Sequence, residues 1–360
     1  MDISYDEYGW RRAKKDDRPV VRLVLAVALL LTAGALAGIV MLPANSETEE
    51  ATPRVRGVSE LVYPATFAGQ LAQPAGGQWV LPAGLALTPV GDTFVLDTEN
   101  NRILKLDPDG RVAATIDSTS DERLALRGPM AIASDGRRLA VANSLASQVL
   151  LFDLSGRLQQ TIALKPISAG SAAPRPIGVA LAADGRIIVA DADNHVVLLL
   201  DPDGDVLKVI GAGSRATGPD GFNVPGALTL DAAGNIYVVD TLGGRVVKLS
   251  PDGTYIRQFG ELGDTAGALA RPKGVAVDAA GNVFVSDGLL AAVEVFSPEG
   301  DYLGIIGRRD PTDPASGSLF QAPAGLWLDG NRLYVMDRRA GLITLDLIGL
   351  RPLQASPGGE

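Results

Sequence analysis

Two patterns of hydrophobic and polar positions divide the chain. In residues 23–42, twenty consecutive positions carry no charge. As a helix rising about 1.5 Å per residue, such a run spans about 30 Å, the thickness of a bilayer's hydrocarbon core. Arg11, Arg12, Lys14, Lys15, Arg18 and Arg22 precede it, and Glu47, Glu49 and Glu50 follow it. Basic flanks favour the cytoplasmic side. The pattern therefore predicts a short cytoplasmic tail at 1–18, one transmembrane α-helix within 19–42 (apolar core 23–42), and the rest of the chain extracytoplasmic, held at the cell membrane by a single pass. The competing reading is a cleaved signal peptide with Ala35-Leu36-Ala37 as its small-x-small site, which would leave the domain secreted. Gly34 and Gly38 offer a face for close helix–helix contact. Residues 43–58, rich in Pro, Ser and Glu, read as a polar linker.

Beyond residue 58 the pattern changes to short apolar, β-branched runs bounded by turn residues, which predict strands. One unit recurs six times: Pro-x-Gly opening a strand, a turn, a second strand ending in an acid, a polar turn, a third strand, then x-Pro-Asp-Gly and a fourth. Pro82, Pro129, Pro176, Pro225, Pro272 and Pro323 lie 47 to 51 residues apart, and Asp97, Asn143, Asp191, Asp240, Asp287 and Asp337 follow them by 14 or 15. In the fifth unit the strands are expected at 272–278, 282–287, 292–296 and 301–306. Four strands per unit in six units predict an all-β, six-bladed β-propeller with four-stranded blades over 59–350, with 351–360 as a C-terminal tail. An open β-solenoid is the alternative. Residues 61–69 resemble the outer strands, and the sixth unit has only a degenerate outer strand of its own. A strand donated from the N-terminal side would close the ring and remove its edges.

The unit resembles the NHL repeat, whose consensus runs Pro-x-Gly-Val-Ala-Val-Asp, Gly-Asn-x-Tyr-Val-x-Asp, Asn-x-Arg and Asp-Gly. Pro82, Gly84, Val95, Asp97, Asn100, Arg102 and Asp109-Gly110 carry the resemblance in the first unit, the best match; residues 234–240 and 281–287 are close copies. An apolar residue stands three before the Pro in five units (Trp79, Leu126, Phe222, Leu269 and Phe320). The chain departs from the consensus at Asn143, at Ala131 and Ala227 in place of Gly, and in keeping the Arg only at Arg102 and Arg245. The resemblance implies a propeller that works as an interaction or scaffold module. Related six-bladed enzymes imply an alternative: a metal-dependent lyase or lactonase-like hydrolase, with Ca or Zn in the central channel.

Composition narrows the chemistry. There is no cysteine and one histidine, His195, so thiolate metal sites, disulfides and lipidation are excluded, and a His-based triad would rest on one residue. With 32 Lys+Arg against 42 Asp+Glu the net charge is -10, which disfavours nucleic acid as a partner. Gly (42) and Pro (23) are abundant because every unit needs its turns. An acid that recurs in every unit is expected to accept backbone N–H bonds rather than to catalyse. No catalytic, cofactor or metal residue is predicted.

Function on a repeated scaffold is expected where the units differ. The turns after the strand-ending acid, which share a rim with the segments leading into each Pro, supply the candidate binding residues Glu99, Asn101, Arg102, Leu145, Asn194, His195, Leu242, Arg245, Leu289, Leu290, Arg338 and Arg339. Leucines at turn tips beside arginines suit a protein or peptide partner in the membrane or cell envelope. The tail at 1–18 is too short for a kinase or DNA-binding domain. The expectation is a membrane-anchored, non-enzymatic scaffold, with a subunit of an envelope complex as one form of that role.

Overall fold

The computed structural model describes residues 63–75, 77–121, 123–307 and 318–348. The expected tail, transmembrane helix with Gly34 and Gly38, polar linker and C-terminal tail lie outside the described residues. Among the described residues, no helix is long and apolar enough to cross a membrane.

The described chain forms six four-stranded antiparallel sheets. Blade 1 runs β2 (Gly84–Leu87), β3 (Thr93–Asp97), β4 (Arg102–Leu106) and β5 (Val112–Ile116). Blade 2 runs β6 (Pro129–Ser134), β7 (Arg138–Asn143), β8 (Gln148–Asp153) and β9 (Leu158–Ala163). Blade 3 holds β10 (Pro176–Leu181), β11 (Ile187–Asp191), β12 (Val196–Leu200) and β13 (Val206–Ile210). Blade 4 holds β14 (Pro225–Leu230), β15 (Ile236–Asp240), β16 (Arg245–Leu249) and β17 (Tyr255–Phe259). Blade 5 holds β18 (Pro272–Val277), β19 (Val283–Asp287), β20 (Ala292–Phe296) and β21 (Tyr302–Ile306), close to the expected strands. Blade 6 combines β22 (Pro323–Asp329), β23 (Arg332–Asp337) and β24 (Gly341–Leu347) with the N-terminal β1 (Ala65–Leu71).

β1 pairs antiparallel with β24, from Ala65 opposite Leu347 to Leu71 opposite Leu342. The first strands of neighbouring blades lie side by side around the whole circle, including β22 against β2. The ring is therefore a closed propeller and not a solenoid.

The core is divided among the six blade junctions. Phe94, Leu96 and Ile103 of blade 1 pack with Ile132, Val141 and Phe152 of blade 2, and each later junction repeats the arrangement, ending with Met336 and Leu342 against Leu85 and Val95. The apolar residues three before each Pro (Trp79, Leu126, Phe222, Leu269 and Phe320) are all buried in these layers. Inner strands are covered on both faces, which is why β15 (IYVVD) is buried at every position; the exposed outer β13 has no such cover. The strict in–out alternation expected of half-buried strands therefore fails in the inner strands.

Candidate binding rim

Because the strands alternate in direction, one rim collects the turns after each second strand together with the crossovers between blades. The opposite rim collects the other hairpin turns. In five blades the opening Pro is paired in register with the strand-ending acid or amide, as in Pro176 with Asp191 and Pro272 with Asp287. Lead-in segments and turns thus share the crossover rim.

All six strand-ending side chains are fully buried. Each accepts a backbone N–H from the segment leading into its own blade: Val80 to Asp97 (2.7 Å), Arg127 to Asn143 (2.6 Å), Arg175 to Asp191 (2.9 Å), Asn223 to Asp240 (2.7 Å), Arg271 to Asp287 (2.7 Å) and Gln321 to Asp337 (2.7 Å). Most also hold the following turn; Asp287 accepts from the N–H groups of Leu289 and Leu290. The acids are thus clasps between two chain segments. Arg102 and Arg245 neutralise two of them, at 2.7 Å from Asp97 and 3.1 Å from Asp240. Burial nevertheless pushes the Asp240 carboxyl above its ordinary value, against the pull of the Asn223 N–H and Arg245.

Counting from each clasp residue gives every turn position a fixed task. The fourth residue adopts positive φ: Asn101 (50°), Ser147 (53°), His195 (56°), Gly244 (63°), Ala291 (52°) and Gly341 (89°). From this position Asn101 Oδ1 accepts the Gly128 N–H (2.6 Å), and Ser147 Oγ donates to the Pro174 carbonyl (2.5 Å), stitching the turn to the next blade's lead-in. His195 is the third blade's copy of this backbone position, one that histidine tolerates better than most residues. Its Nδ1 is buried without a hydrogen-bond partner, and burial, then Arg215, hold its pKa below the ordinary value.

The second residue after the clasp is the outward tip: Glu99, Leu145, Asp193, Leu242, Leu289 and Arg339, all exposed. Leu145 is 74% exposed and Leu289 67%, whereas Leu242 stands at 36%. Leu290, next to the tip, is half-buried.

The first residue after the clasp faces inward and is small in five blades: Thr98, Ser144, Ala192, Thr241 and Gly288. Thr98 Oγ1 donates to the Pro129 carbonyl of the next blade at 2.9 Å. In blade 6 this position holds Arg338, half-buried, whose Nε is buried without a partner.

The residue after each Pro completes the inner mouth. The β-ladder skips it in blades 2 to 6, leaving it at a register shift on the innermost strand. The Gly of Pro-x-Gly is explained by the same ring. A Cβ on Gly178 would lie 2.0 Å from the Gly226 carbonyl oxygen, and one on Gly274 2.1 Å from that of Ala324. Around the mouth these residues are Ala83, Met130, Ile177, Gly226, Lys273 and Ala324. Lys273 is half-buried and lies across the space above Gly288, where a Cβ would meet its Cγ at 3.4 Å. Burial, then Arg271 and Arg338, push its pKa down to about 8.

The residues expected from sequence therefore separate. Glu99, Leu145, Leu242, Leu289 and Arg339 form the outward ring, with Leu290 and Arg338 turned further in. Asn194 is only 4% exposed and donates to Asp191 and the Ala172 carbonyl, and Arg245, 3% exposed, donates to Asp240, Gln258 and the Gly218 and Gly221 carbonyls. Arg102, bonded to Asp97 and the Gln78 carbonyl, and Asn101 are likewise tied into the fold. Lys273 was missed; its signal was to be the one charged residue following a unit-opening Pro.

Among the described residues, no three His, Asp or Glu side chains gather as ligands. The opposite rim carries a separate cleft of about 980 Å³ across blades 6, 1 and 2, lined by Trp327, Tyr334, Thr88, Asp107, Asp135 and Asp329; none of the expected site residues reaches it.

An NHL repeat family model matches residues 174–198, covering β10, β11 and the turn through His195 in blade 3. The sequence alone pointed to blade 1 as the best copy. No curated protein matches the chain. Solved structures share the fold at low identity. Virginiamycin B lyase from Staphylococcus aureus is 13% identical over 79% of this chain and 100% of its own, with a TM-score of 0.56. A gluconolactonase from Xanthomonas campestris is 20% identical over 82% and 99% (TM-score 0.57). The calcium-binding protein regucalcin from Agrobacterium tumefaciens is 15% identical over 79% and 95% (TM-score 0.55).

Proposed function

We propose that the crossover rim docks a protein or peptide partner, and that the propeller does so outside the cell membrane, anchored through residues 23–42, as a scaffold module. One observation carries this: the outward, exposed tip of the repeated turn is leucine in three of six blades (Leu145, Leu242 and Leu289). Apolar tips beside the charged tips Glu99, Asp193 and Arg339 make the mixed surface that protein interfaces use. The test is cross-linking in intact membranes, comparing the wild-type chain with a Leu145→Asp, Leu242→Asp, Leu289→Asp variant. Loss of a cross-linked species, with thermal unfolding unchanged, supports the docking face. The same species recovered from both chains removes it.

The fold neighbours named as a lyase, a gluconolactonase and a calcium-binding protein suggest the alternative of a channel enzyme holding Ca or Zn. The spent clasp acids speak against it. Stoichiometric metal in the purified full chain, lost together with a hydrolase or lyase activity on chelation, would favour that alternative.

A further inference from the structure

The inner mouth is built from twelve equivalent positions: the residue after each opening Pro and the residue after each clasp. Ten are small or apolar, including Met130 and Ile177. The other two are cations, Lys273 and Arg338, and they belong to neighbouring blades. Small residues, Gly288 and Ala324, stand at the same junction: a Cβ on Gly288 would meet Lys273 Cγ at 3.4 Å and the Pro323 carbonyl oxygen at 3.7 Å, and the Arg338 N–H donates to the Ala322 carbonyl at 3.0 Å, so both cations adjoin the blade 6 lead-in.

Like charges repel when close, and more strongly when partly removed from water. Burial, then Arg271 and Arg338, favour the neutral form of Lys273, and Asp287 pulls weakly the other way. The acid facing them, Asp287, gives its oxygens to the N–H groups of Arg271, Leu289 and Leu290. Among the described residues, neither Lys273 nor Arg338 makes an ion pair, and Arg338 Nε is buried without an acceptor. Two cations and an unused, buried guanidinium N–H at one spot lack the anion that would complete them.

We infer that the channel mouth at blades 5 and 6 is an oxyanion site, in which Lys273 and Arg338, with Arg271 beside them, receive a carboxylate or phosphate group of the docked ligand. Lys273 supplies a compact point charge, and Arg338 supplies a directed N–H. The site deepens the reading of the crossover rim as the docking face, but it needs none of the leucine tips.

The experiment follows lysine acetylation of the full chain in detergent at about pH 8, resolved by peptide mass spectrometry. The arms contain inorganic phosphate, acetate, or chloride at matched ionic strength, and exposed Lys165 is the internal reference. A bound anion restores the ammonium; at about pH 8, a one-unit rise from a pKa of about 8 lowers the neutral fraction about fivefold. Phosphate or acetate should slow labelling of Lys273 by about that factor, leave Lys165 unchanged, and lose its effect in Arg338→Met. The more protective anion distinguishes a phosphate ligand from a carboxylate one. Equal rates in all arms, or equal slowing by chloride, would overturn the site in the wild-type chain without any variant. In the triple leucine variant the protection should persist. If it persists while the cross-linked partner is unaffected, the docking face fails and the anion site stands.

Discussion

Blades 2 and 4 solve the same problem with different chemistry. In blade 4, Asp240 clasps the lead-in through the Asn223 N–H, and Arg245 neutralises its charge. In blade 2, Asn143 clasps the Arg127 N–H, and Gln148, at the position equivalent to Arg245, accepts from its amide at 3.2 Å. One blade buries an ion pair and the other joins a buried amide to a half-buried one, yet the strands and the crossover are the same. The position therefore demands a hydrogen-bond acceptor and not a charge. The six buried carboxylates and amides are consequently poor evidence for catalysis, however suggestive a ring of acids looks.

The largest expected effect breaks this equivalence. Asp240→Ala leaves Arg245 as a buried charge without its carboxylate, and the urea midpoint should report a loss of about 3–5 kcal/mol. Asn143→Ala removes hydrogen bonds but strands no charge, at about 1–3 kcal/mol. Transplanting blade 2 into blade 4, as Asp240→Asn with Arg245→Gln, should recover most of the difference. If the double variant is as unstable as Asp240→Ala, the charge itself is required.

A second contrast lies at the glycine of Pro-x-Gly. Blades 2 and 4 carry Ala131 and Ala227 there, whereas the Gly178 backbone lies against the Gly226 carbonyl of blade 4. Gly178→Ala forces these innermost strands apart, and the overpacking should cost about 1–3 kcal/mol in thermal or urea unfolding. An effect near zero would mean that the ring of innermost strands is looser than its contacts indicate.

The propeller was legible because its signals repeat. The opening prolines gave the number of blades, and residues 61–69 pointed to the closing strand, found at Ala65–Leu71. What a side chain does at the rim was less legible, because it depends on contacts across a blade junction. Arg245 looks like a surface arginine in its turn, yet the Gly218 and Gly221 carbonyls reach back to bury it. Asn194 is held in the same way. Lys273 follows an unremarkable Pro, and its two arginine neighbours come from its own lead-in and from blade 6. Both faces of the inner strands are buried because blades stack on either side, a fact that one unit's hydrophobic pattern does not contain.

The smallest effect concerns His195. As the sole histidine it invites a catalytic role, but its place in the turn matches Asn101, Ser147 and Ala291 in other blades. A histidine whose folded pKa lies below the unfolded value binds its proton more weakly in the fold. Its contribution is fully present above the unfolded pKa of about 6.5 and is lost as pH falls through the lower folded value. Burial is partial, so the loss should be small. Urea midpoints at about pH 7.5 and about pH 5.5 should show a slight decline in the wild-type chain that His195→Asn removes, because asparagine keeps the positive-φ backbone without a titrating ring. If His195→Asn also abolished partner cross-linking while leaving the fold intact, the third blade's copy of this turn position would have a task beyond the backbone, and the parallel among the blades would end there.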